Sequence, residues 1–419
     1  MQICFVSQEY PEETGWGGIG TYTYEIAHGL ARAGHQVVVI SRSLTDPQHY
    51  FEADGVEVYR ILPSLNLDST PVLWRLNRWW EGYRLAVAIK LRQILSERHV
   101  DIIESPELHA ETLLYTKLSA KPPLVVRLHS GSRVVSNFES NLSKQAKLNR
   151  RAESRLIRKA AYVTSPSRAL LDSLNGERGS RPLTVIPNPV DVDHFKPNSD
   201  ERGTSVPPVN AAQDARATNI LCVGRPRFLK GIHILGQAIP KVWQEIPEAL
   251  FTFVPAPMGK GGESPRDAYG EFLGKLIEDP RLRIMDPVSR AQLPDVYRSA
   301  TMCVVPSLWE GFGYVAAEAM ACGTPVIASR IAGLAEIVED GRSGILFETA
   351  NADELAEAIV KLIRDRQRRS QLAVAGRQRI VDEFASGAIT SRMAKLYSQM
   401  VQKPGVVRHR LLADRGTQC

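Results

Sequence analysis

Two glutamates lie eight residues apart in the segment WEGFGYVAAEAMACGTPVIAS, residues 309–329. Glu310 and Glu318 are separated by a turn containing Gly311 and Gly313, between the apolar run MCVVPS and a predicted helix. Glycines in such a turn let a ligand approach the backbone, and the free N–H groups of a helix start attract an anion. A glutamate that only favours the helix dipole would explain Glu310 but not Glu318, which stands in the Ala-rich stretch VAAEAMA. The spacing therefore predicts a ligand site that binds an anion and hydroxyl groups.

Two cations follow another predicted strand, in the segment NILCVGRPRFLKG. Ile220 to Val223 form the strand, Gly224 turns the chain, and Arg225 and Lys230 come next. The carboxyl ends of strands are where open α/β sheets bind ligands. Arginine can hold phosphate oxygens with two hydrogen bonds, and lysine acts as a point charge. A solvated basic loop is the alternative, and the neighbouring glutamate pair favours phosphate binding.

A histidine and a glycine-rich loop are candidate site residues in the first half of the chain. His129 ends the strand of VVRLHSGSR, where it is either catalytic or a structural hydrogen-bonding group. The segment GWGGIG, residues 15–20, matches the dinucleotide fingerprint G-x-G-x-x-G. The first strand ends near Ser7, so this loop comes too late for a tight strand-to-helix turn. Gly17 and Gly18 therefore predict close approach of a ligand, not NAD, and no cofactor is expected.

One motif suggests a metal, and we do not expect it to bind one. Asp191 to Asp193 read DVD, like a D-x-D metal site, but they lie in the turn-rich passage IPNPVDVDHFKP. The five cysteines are scattered without a C-x-x-C pair, and most lie in apolar runs. They read as buried apolar residues in a reducing cytoplasm.

The elements that must position these residues alternate between short β-branched runs and amphipathic segments. This alternation predicts βαβ units with parallel sheets. A polar, Pro-containing break at 197–218 reads as a linker between two Rossmann-like domains, 1–196 and 219–385. The remainder, 386–419, is predicted to contain a helix and a tail. One apolar face of that helix carries Ile389, Met393, Leu396, Tyr397 and Met400.

Composition limits the classes of partner. The chain has 419 residues, 43% of them hydrophobic, and a formal charge of +6. No apolar run is long enough to span a membrane, and the start lacks the pattern of a signal peptide. No aromatic-plus-basic nucleic-acid signature is present, so no nucleic-acid partner is expected.

Two basic segments suggest a peripheral membrane contact. KQAKLNRRAESRLIRKA, residues 144–160, carries seven cations and one acid, and VLWRLNRWWEGYRLAVAIKLRQIL, residues 72–95, mixes tryptophans with cations. Basic helices with apolar residues can lie on an anionic membrane, here its cytoplasmic face. The alternative is that the tryptophans fill a core and the cations are solvated.

In their order along the chain these segments resemble the family-4 retaining glycosyltransferases of the GT-B fold. The resemblance includes GGIGTYTYEIAHGLARAGHQVVVI, LHSG, TSPS, VIPNPVDVDHFKP, GRPRFLKG, the glutamate block and AGLAEIVEDGRSGILFE. It covers nearly the whole chain, and the E-x7-E block is its most specific part. It implies two Rossmann-like domains facing a central cleft, with the last helix returning to the first domain.

The resemblance also implies roles for the candidate residues. Arg225 and Lys230 would hold the diphosphate, and Glu318 the ribose. Glu310 would contact the hydroxyls of a hexose-type donor sugar, which His129 would face from the first domain. The family generally works without a metal, with no evident protein nucleophile, and same-face attack would explain retention. The implied substrate-binding residues are Gly17, Gly18, Arg225, Lys230, Glu310, Gly311, Phe312, Gly313, Tyr314 and Glu318, and the implied catalytic residues are Glu310, His129, Arg225 and Lys230.

Two loops depart from the family pattern near the expected nucleotide base. VPAPMGKGG has Pro255 and Pro257 where relatives usually carry G-x-G, and IMDPVS has Asp286 where they often have glycine. The donor nucleotide is expected to be UDP or GDP, with ADP as an alternative. The acceptor is expected to be a glycan, a lipid-linked sugar or a small molecule.

Two further function classes remain as alternatives. A nucleotide-sugar epimerase or a phosphorylase would keep the fold and change the reaction, and a non-catalytic binding protein would keep only the ligand. The glutamate pair and the lack of an evident pyridoxal-lysine context count against epimerase and phosphorylase. The intact Arg225, Lys230, Glu310 and Glu318 count against a non-catalytic protein.

Overall fold

The chain forms two compact units in a computed structural model. One consists of Met1–Pro189 and Ser386–Cys419, and the other of Val190–Ala385. The structure describes every residue except 64–77, 119–121, 133, 135–137, 139–142, 175–181, 199–217, 256–263 and 403–419.

The first unit is built on a sheet with eight strands among its described residues. Their order is β3-β4-β2-β1-β5-β6-β7-β8, and all neighbours are parallel except β3 and β4. Runs such as QVVVIS and PLVVRL form the buried central strands, as their β-branched residues predict. The strands are β1 Gln2–Val6, β2 Gln36–Arg42, β3 Gln48–Phe51, β4 Glu57–Ile61, β5 Ile102–Pro106, β6 Leu124–Arg127, β7 Tyr162–Ser165 and β8 Leu183–Val185.

Helices cover this sheet, and one of them comes from the end of the chain. The helices are α1 Gly18–Arg32, α2 Arg78–Glu97, α3 Lys144–Lys159, α4 Arg168–Asp172 and, from the end of the chain, α12 Ser386–Gln402. The Oγ of Ser143 caps α3 by accepting the N–H of Ala146.

The return of the last helix to the first unit is confirmed. Its apolar face is buried in the core of that unit, with Ile389, Met393 and Tyr397 each 0% exposed. The Tyr397 hydroxyl donates to the buried Glu104, which also accepts from Tyr22. The five residues of the predicted stripe are therefore core residues.

The second unit is a parallel sheet with six strands among its described residues. Their order is β11-β10-β9-β12-β13-β14. The strands are β9 Asn219–Val223, β10 Leu250–Val254, β11 Leu282–Ile284, β12 Met302–Val305, β13 Val326–Ser329 and β14 Ile345–Phe347. The helices are α5 Ile232–Glu245, α6 Pro265–Leu273, α7 Leu293–Arg298, α8 Tyr314–Ala321, α9 Ala332–Ile337, α10 Ala352–Arg364 and α11 Arg366–Phe384.

The boundary between the units differs from the predicted one. Residues 190–196, assigned above to the first domain, pack with the second unit. The Phe195 ring is 1% exposed in its core, and the Val190 N–H donates to the carbonyl of Phe384. Burial of these side chains moves the boundary from 196 to 189. Nearly all of the predicted linker lies outside the described residues.

No helix in the described part of the chain is both long and apolar enough to cross a membrane.

Candidate active site

The loops that carry the cations and the glutamates follow two adjacent strands of the second unit. From β9 the chain continues outward to β10 and β11, and from β12 it continues in the opposite direction to β13 and β14. Sheets of this kind bind ligands outside the carboxyl ends of the two strands where the order reverses. The segments GRPRFLKG and PSLWEGFG lie at that point of this sheet.

The loop after β9 is held in place by buried groups. The Tyr269 hydroxyl, on α6, donates to the carbonyl of Gly224 at 2.6 Å. Gly231 caps α5 with φ 65°, and a Cβ there would lie 1.8 Å from the carbonyl oxygen of Pro306. Only glycine allows this contact, which brings the loop against the end of β12. Arg225 is half-buried and has no ion-pair or hydrogen-bond partner among the described residues.

Lys230 and Glu310 meet in this contact between the loops. The Lys230 Nζ donates to Glu310 Oε1 at 2.6 Å, and the Ser307 Oγ donates to the same oxygen at 2.8 Å. The Leu308 N–H donates to the carbonyl of Leu229 at 2.8 Å, so the backbones are joined as well. The structure thus brings Lys230, predicted to bind phosphate, into direct contact with Glu310, predicted to bind sugar hydroxyls.

The turn before α8 is shaped by glycines. Gly313 caps the helix with φ 110°, and a Cβ there would lie 2.5 Å from Leu334. Gly333 passes so close to this turn that its own Cβ would lie 2.6 Å from the carbonyl oxygen of Glu310. Close packing therefore fixes the backbone between Glu310 and the first N–H groups of α8.

The aromatic residues of this turn differ in exposure. Phe312 is 4% exposed, and its ring packs in the core against Phe384. The ring of Tyr314 packs edge-on against Phe312 and is half-buried. Any contact of Phe312 with substrate is thus left to its backbone, because its side chain is a core residue.

Glu318 lies on α8 in a buried polar environment. The fully buried Tyr297 donates its hydroxyl to Glu318 Oε2 at 2.9 Å, and Arg290 Nη1 lies 3.9 Å from Oε1. Burial, followed by the charge of Glu318, raises the pKa of Tyr297 well above its ordinary value, so this hydroxyl keeps its proton.

The first unit has a reversal of strand order between β1 and β5. Gly17 and Gly18 follow β1 at the start of α1, and a Cβ on Gly17 would lie 2.4 Å from Glu9 Oε2. A Cβ on Gly18 would meet no atom within 4 Å, and Gly18 is exposed. The two glycines thus have different surroundings: a side chain at Gly17 would displace the carboxylate of Glu9, and Gly18 leaves open space.

His129 follows β6, and its loop is held by two buried carboxyl groups. Glu107 Oε1 accepts the N–H groups of His129 and Gly131 at 2.8 and 2.7 Å. Glu153 accepts the N–H of Ser132 at 2.9 Å. Burial raises the pKa of Glu107 to about 7, with a further rise from the charge of Glu153, while the backbone N–H groups lower it.

The imidazole of His129 is held in its neutral form. Burial and the charge of Arg127 hold its pKa well below the ordinary value. The ring is half-buried and packs edge-on against Tyr22 at 5.1 Å between centroids. It is therefore poised to act as a hydrogen-bonding group and not as a cation.

Several supporting residues could not be found from the sequence analysis. Ser307, Tyr297 and Glu107 each bond a predicted site residue, and Glu153 holds the same loop as His129 through Ser132. Each looks like an ordinary helix or loop residue in sequence. A signal existed for Glu107, since it is a charged residue directly after β5. Asp191 of the DVD motif accepts the N–H groups of Asp193 and His194 and so caps a turn. No cluster of three potential metal ligands was found among the described residues.

Comparison with known proteins assigns the same class to both units. The profile of Glycosyltransferase Family 4 matches residues 16–194, and that of Glycosyl transferases group 1 matches residues 217–365. D-inositol 3-phosphate glycosyltransferase of Thermobifida fusca is 30% identical over 371 residues, which cover 86% of this chain and 83% of the relative. Glycogen synthase of Mycobacterium tuberculosis is 27% identical over 421 residues, covering 95% and 94%.

Solved structures share the fold over nearly the whole chain. Sucrose-phosphate synthase from Thermosynechococcus elongatus is 24% identical with a TM-score of 0.79, covering 96% of this chain and 100% of that one. The Anabaena protein HepE, solved in complex with UDP-glucose, is 20% identical with a TM-score of 0.69, covering 95% and 100%. These likenesses show the GT-B fold, and the 30% identical relative shows the family. The chain belongs to the family-4 glycosyltransferases (glycosyl transferases group 1) and is an enzyme that uses a nucleotide-sugar donor.

Proposed function

We propose that this enzyme transfers a hexose-type sugar from a nucleoside diphosphate to its acceptor with retention of the anomeric configuration and without a metal ion. The observation that carries the proposal is the contact between Lys230 and Glu310 at the strand-order reversal of the second unit. A group for phosphate and a group for sugar hydroxyls are adjacent there, as the two halves of a nucleotide sugar are.

The cations supply the charge that the leaving group needs. Breaking the glycosidic bond leaves negative charge on the diphosphate, which Arg225, Lys230 and the backbone N–H groups at the start of α8 stabilise. Preorganised donors of this kind are worth ~10²–10³ in rate each. This arrangement performs the role that a metal ion has in other transferases, and it supports metal independence.

The remaining residues hold the ends of the donor. Glu318 accepts the ribose hydroxyls, and Glu310 accepts hydroxyls of the donor sugar, with the backbone of Gly311 beside it. From the first unit, His129 donates or accepts a hydrogen bond to the sugar, and Gly17 and Gly18 allow substrate to approach the backbone. All of these assignments follow the motif positions described above.

UDP is the donor nucleotide that we favour over GDP. HepE, which shares the fold, was solved with UDP-glucose. Asp286 follows β11, where the nucleotide base is expected. The other segment that departs from the family pattern near the base, VPAPMGKGG, lies partly outside the described residues, including Pro257.

A glycan or lipid-linked acceptor is proposed for the first unit, together with a peripheral contact of α3 with an anionic membrane surface. The outward face of α3 carries Lys144, Lys147, Arg151, Arg155, Arg158 and Lys159, all exposed, beside Leu148, which is 39% exposed. Such a face suits the headgroup layer of an anionic membrane. Helix α2 contributes less positive charge to such a surface than its sequence suggested, because Arg84 is 1% exposed and donates to the carbonyl of His109.

The experiment is a screen of UDP- and GDP-sugars with glycan and lipid-linked acceptors in EDTA. We expect transfer from one donor, with the product anomer matching that of the donor by NMR. Product of inverted configuration would overturn retention. Activity lost in EDTA and restored by Mg²⁺ or Mn²⁺ would overturn metal independence, and isomerised donor without transfer would indicate an epimerase.

A further inference from the structure

A buried tyrosine contacts the glutamate that we assign to the ribose. Tyr297 lies on α7, is 0% exposed, and donates its hydroxyl to Glu318 Oε2 at 2.9 Å. Its own backbone is fixed in turn, because the Thr324 Oγ1 donates to the carbonyl of Tyr297 at 2.8 Å. The tyrosine is thus held in the core both at its hydroxyl and at its backbone.

We propose that Tyr297 is a positioning residue that sets the orientation of the Glu318 carboxylate and thereby the selectivity of the enzyme for ribonucleotides over deoxyribonucleotides. This inference rests on the proposed role of Glu318. A carboxylate can rotate about its last bond, and two ribose hydroxyls require it in one orientation. A hydrogen bond to one oxygen holds that orientation before the ligand arrives, which reduces the entropy lost on binding.

The groups around Glu318 favour a negatively charged carboxylate in one fixed orientation. Arg290 Nη1 lies 3.9 Å from Oε1, and its guanidinium stacks over the ring of Phe195 at 5.1 Å. Phe195 also packs edge-on against Tyr297, with ring centroids 6.1 Å apart. The tyrosine and the arginine that face the two carboxylate oxygens are thus linked through one aromatic ring.

The alternative is that Tyr297 only fills the core. Loss of the hydroxyl would then weaken every ligand equally, through a general loosening of the unit. A positioning role makes a different prediction, because the effect must depend on whether the ligand carries the hydroxyl that Glu318 accepts.

The test is calorimetric titration of UDP, 2′-deoxy-UDP and 3′-deoxy-UDP into wild-type protein, Tyr297→Phe and Glu318→Gln. We expect Tyr297→Phe to bind UDP about tenfold more weakly, the effect of a disturbed hydrogen bond to a charged group. The same substitution should weaken binding of each deoxy analogue less than binding of UDP, because each analogue has one hydroxyl fewer for Glu318 to accept. Tyr115→Phe is the matched control, since its buried hydroxyl donates to the carbonyl of Pro122 in the first unit, and it should leave all three affinities unchanged.

Equal weakening of all three ligands, or an unchanged affinity for UDP, would overturn the inference. If Glu318→Gln itself left UDP binding intact, the ribose assignment would be wrong, which is a separate failure. In the double variant Tyr297→Phe/Glu318→Gln, the buried carboxylate is removed together with its hydrogen-bond donor. This variant can therefore be measured if Tyr297→Phe alone does not fold. It should match Glu318→Gln in UDP affinity, and a further loss would contradict a role that acts through Glu318.

Discussion

The ion pair of Lys230 and Glu310 is better explained by ligand binding than by stability. The Lys230 side chain is 33% exposed and that of Glu310 is 15% exposed. Ion pairs near the surface contribute about 0–1 kcal/mol. Yet a buried serine and a left-handed glycine, Ser307 and Gly231, bring the two side chains together. This constraint is understandable if both groups contact parts of one donor molecule.

Substitutions of the two glutamates should affect ligand binding and turnover differently. Glu318→Gln should weaken free nucleotide and nucleotide sugar alike, because ribose is common to both. Glu310→Gln should leave free nucleotide binding nearly intact and lower turnover of the sugar donor, since the sugar is the only part of the donor that it contacts and glutamine can still accept from Lys230. Nucleotide titrations and initial rates on both variants provide the measurement, and equal impairment of nucleotide binding would contradict the division of roles.

The candidate site residues could be proposed from sequence, whereas the groups that hold them in place could not. Arg225, Lys230 and the glutamates stand in recognisable blocks. Gly231 is in the same block, but the reason for it, a carbonyl oxygen 1.8 Å from where its Cβ would lie, depends on a residue 75 positions away. Contacts of this kind come from tertiary packing and leave no local pattern.

At the scale of elements, the buried central strands were predictable, whereas the edge strands β3, β8 and β11 were not. QICFVS, NILCVG and MCVVPS are continuous apolar runs, as strands buried on both faces must be. β3, QHYF, is polar and mostly exposed, and β8 and β11 have three residues each, too few for a periodic pattern. The order reversal that locates the site follows from the pairing of strands and not from any one of them.

The basic face of α3 should bind anionic membranes. We expect wild-type protein to sediment with anionic liposomes at low salt and not with neutral ones. Replacing Lys147, Arg151 and Arg155 with glutamine should remove most of this binding, at about 1 kcal/mol for each charge near the surface. The matched control replaces Arg342, Lys361 and Arg366, which are exposed cations of the second unit. Equal loss in both variants, or binding indifferent to lipid charge, would contradict a specific role for α3.

At the scale of the whole molecule, the two-unit architecture was predicted from the alternation of strands and helices. The apolar stripe of α12 predicted that the helix is buried, since an exposed helix with five such residues would leave a large apolar face in water. Its return to the first unit was implied by the family resemblance. The boundary was placed seven residues late, because VDVDHFKP is polar and turn-rich although it packs on the second unit. Patterns of polarity do not distinguish a packed loop from a linker.

The acceptor could not be predicted from the sequence beyond its general class. Relatives of similar identity include both an inositol 3-phosphate glycosyltransferase and a glycogen synthase. In this chain, buried carboxyl groups shape the His129 loop of the first unit, and 135–137 and 139–142 lie outside the described residues. The candidate residues for the donor stand in short motifs of glycines and charges, and so they were easier to propose from sequence.

The central claim is that Arg225 and Lys230 bind the donor diphosphate without a metal. The most direct measurement is calorimetric titration of UDP and GDP in EDTA into wild-type protein, Lys230→Ala and Lys241→Ala. The control residue Lys241 is on α5 in the same unit and pairs with Asp353. Each charge-assisted hydrogen bond lost is worth ~1.5–3 kcal/mol, so Lys230→Ala should bind the preferred nucleotide at least ~10-fold more weakly while the control binds as wild type. Unchanged affinity in a folded Lys230→Ala protein, or wild-type binding that requires Mg²⁺, would contradict the claim.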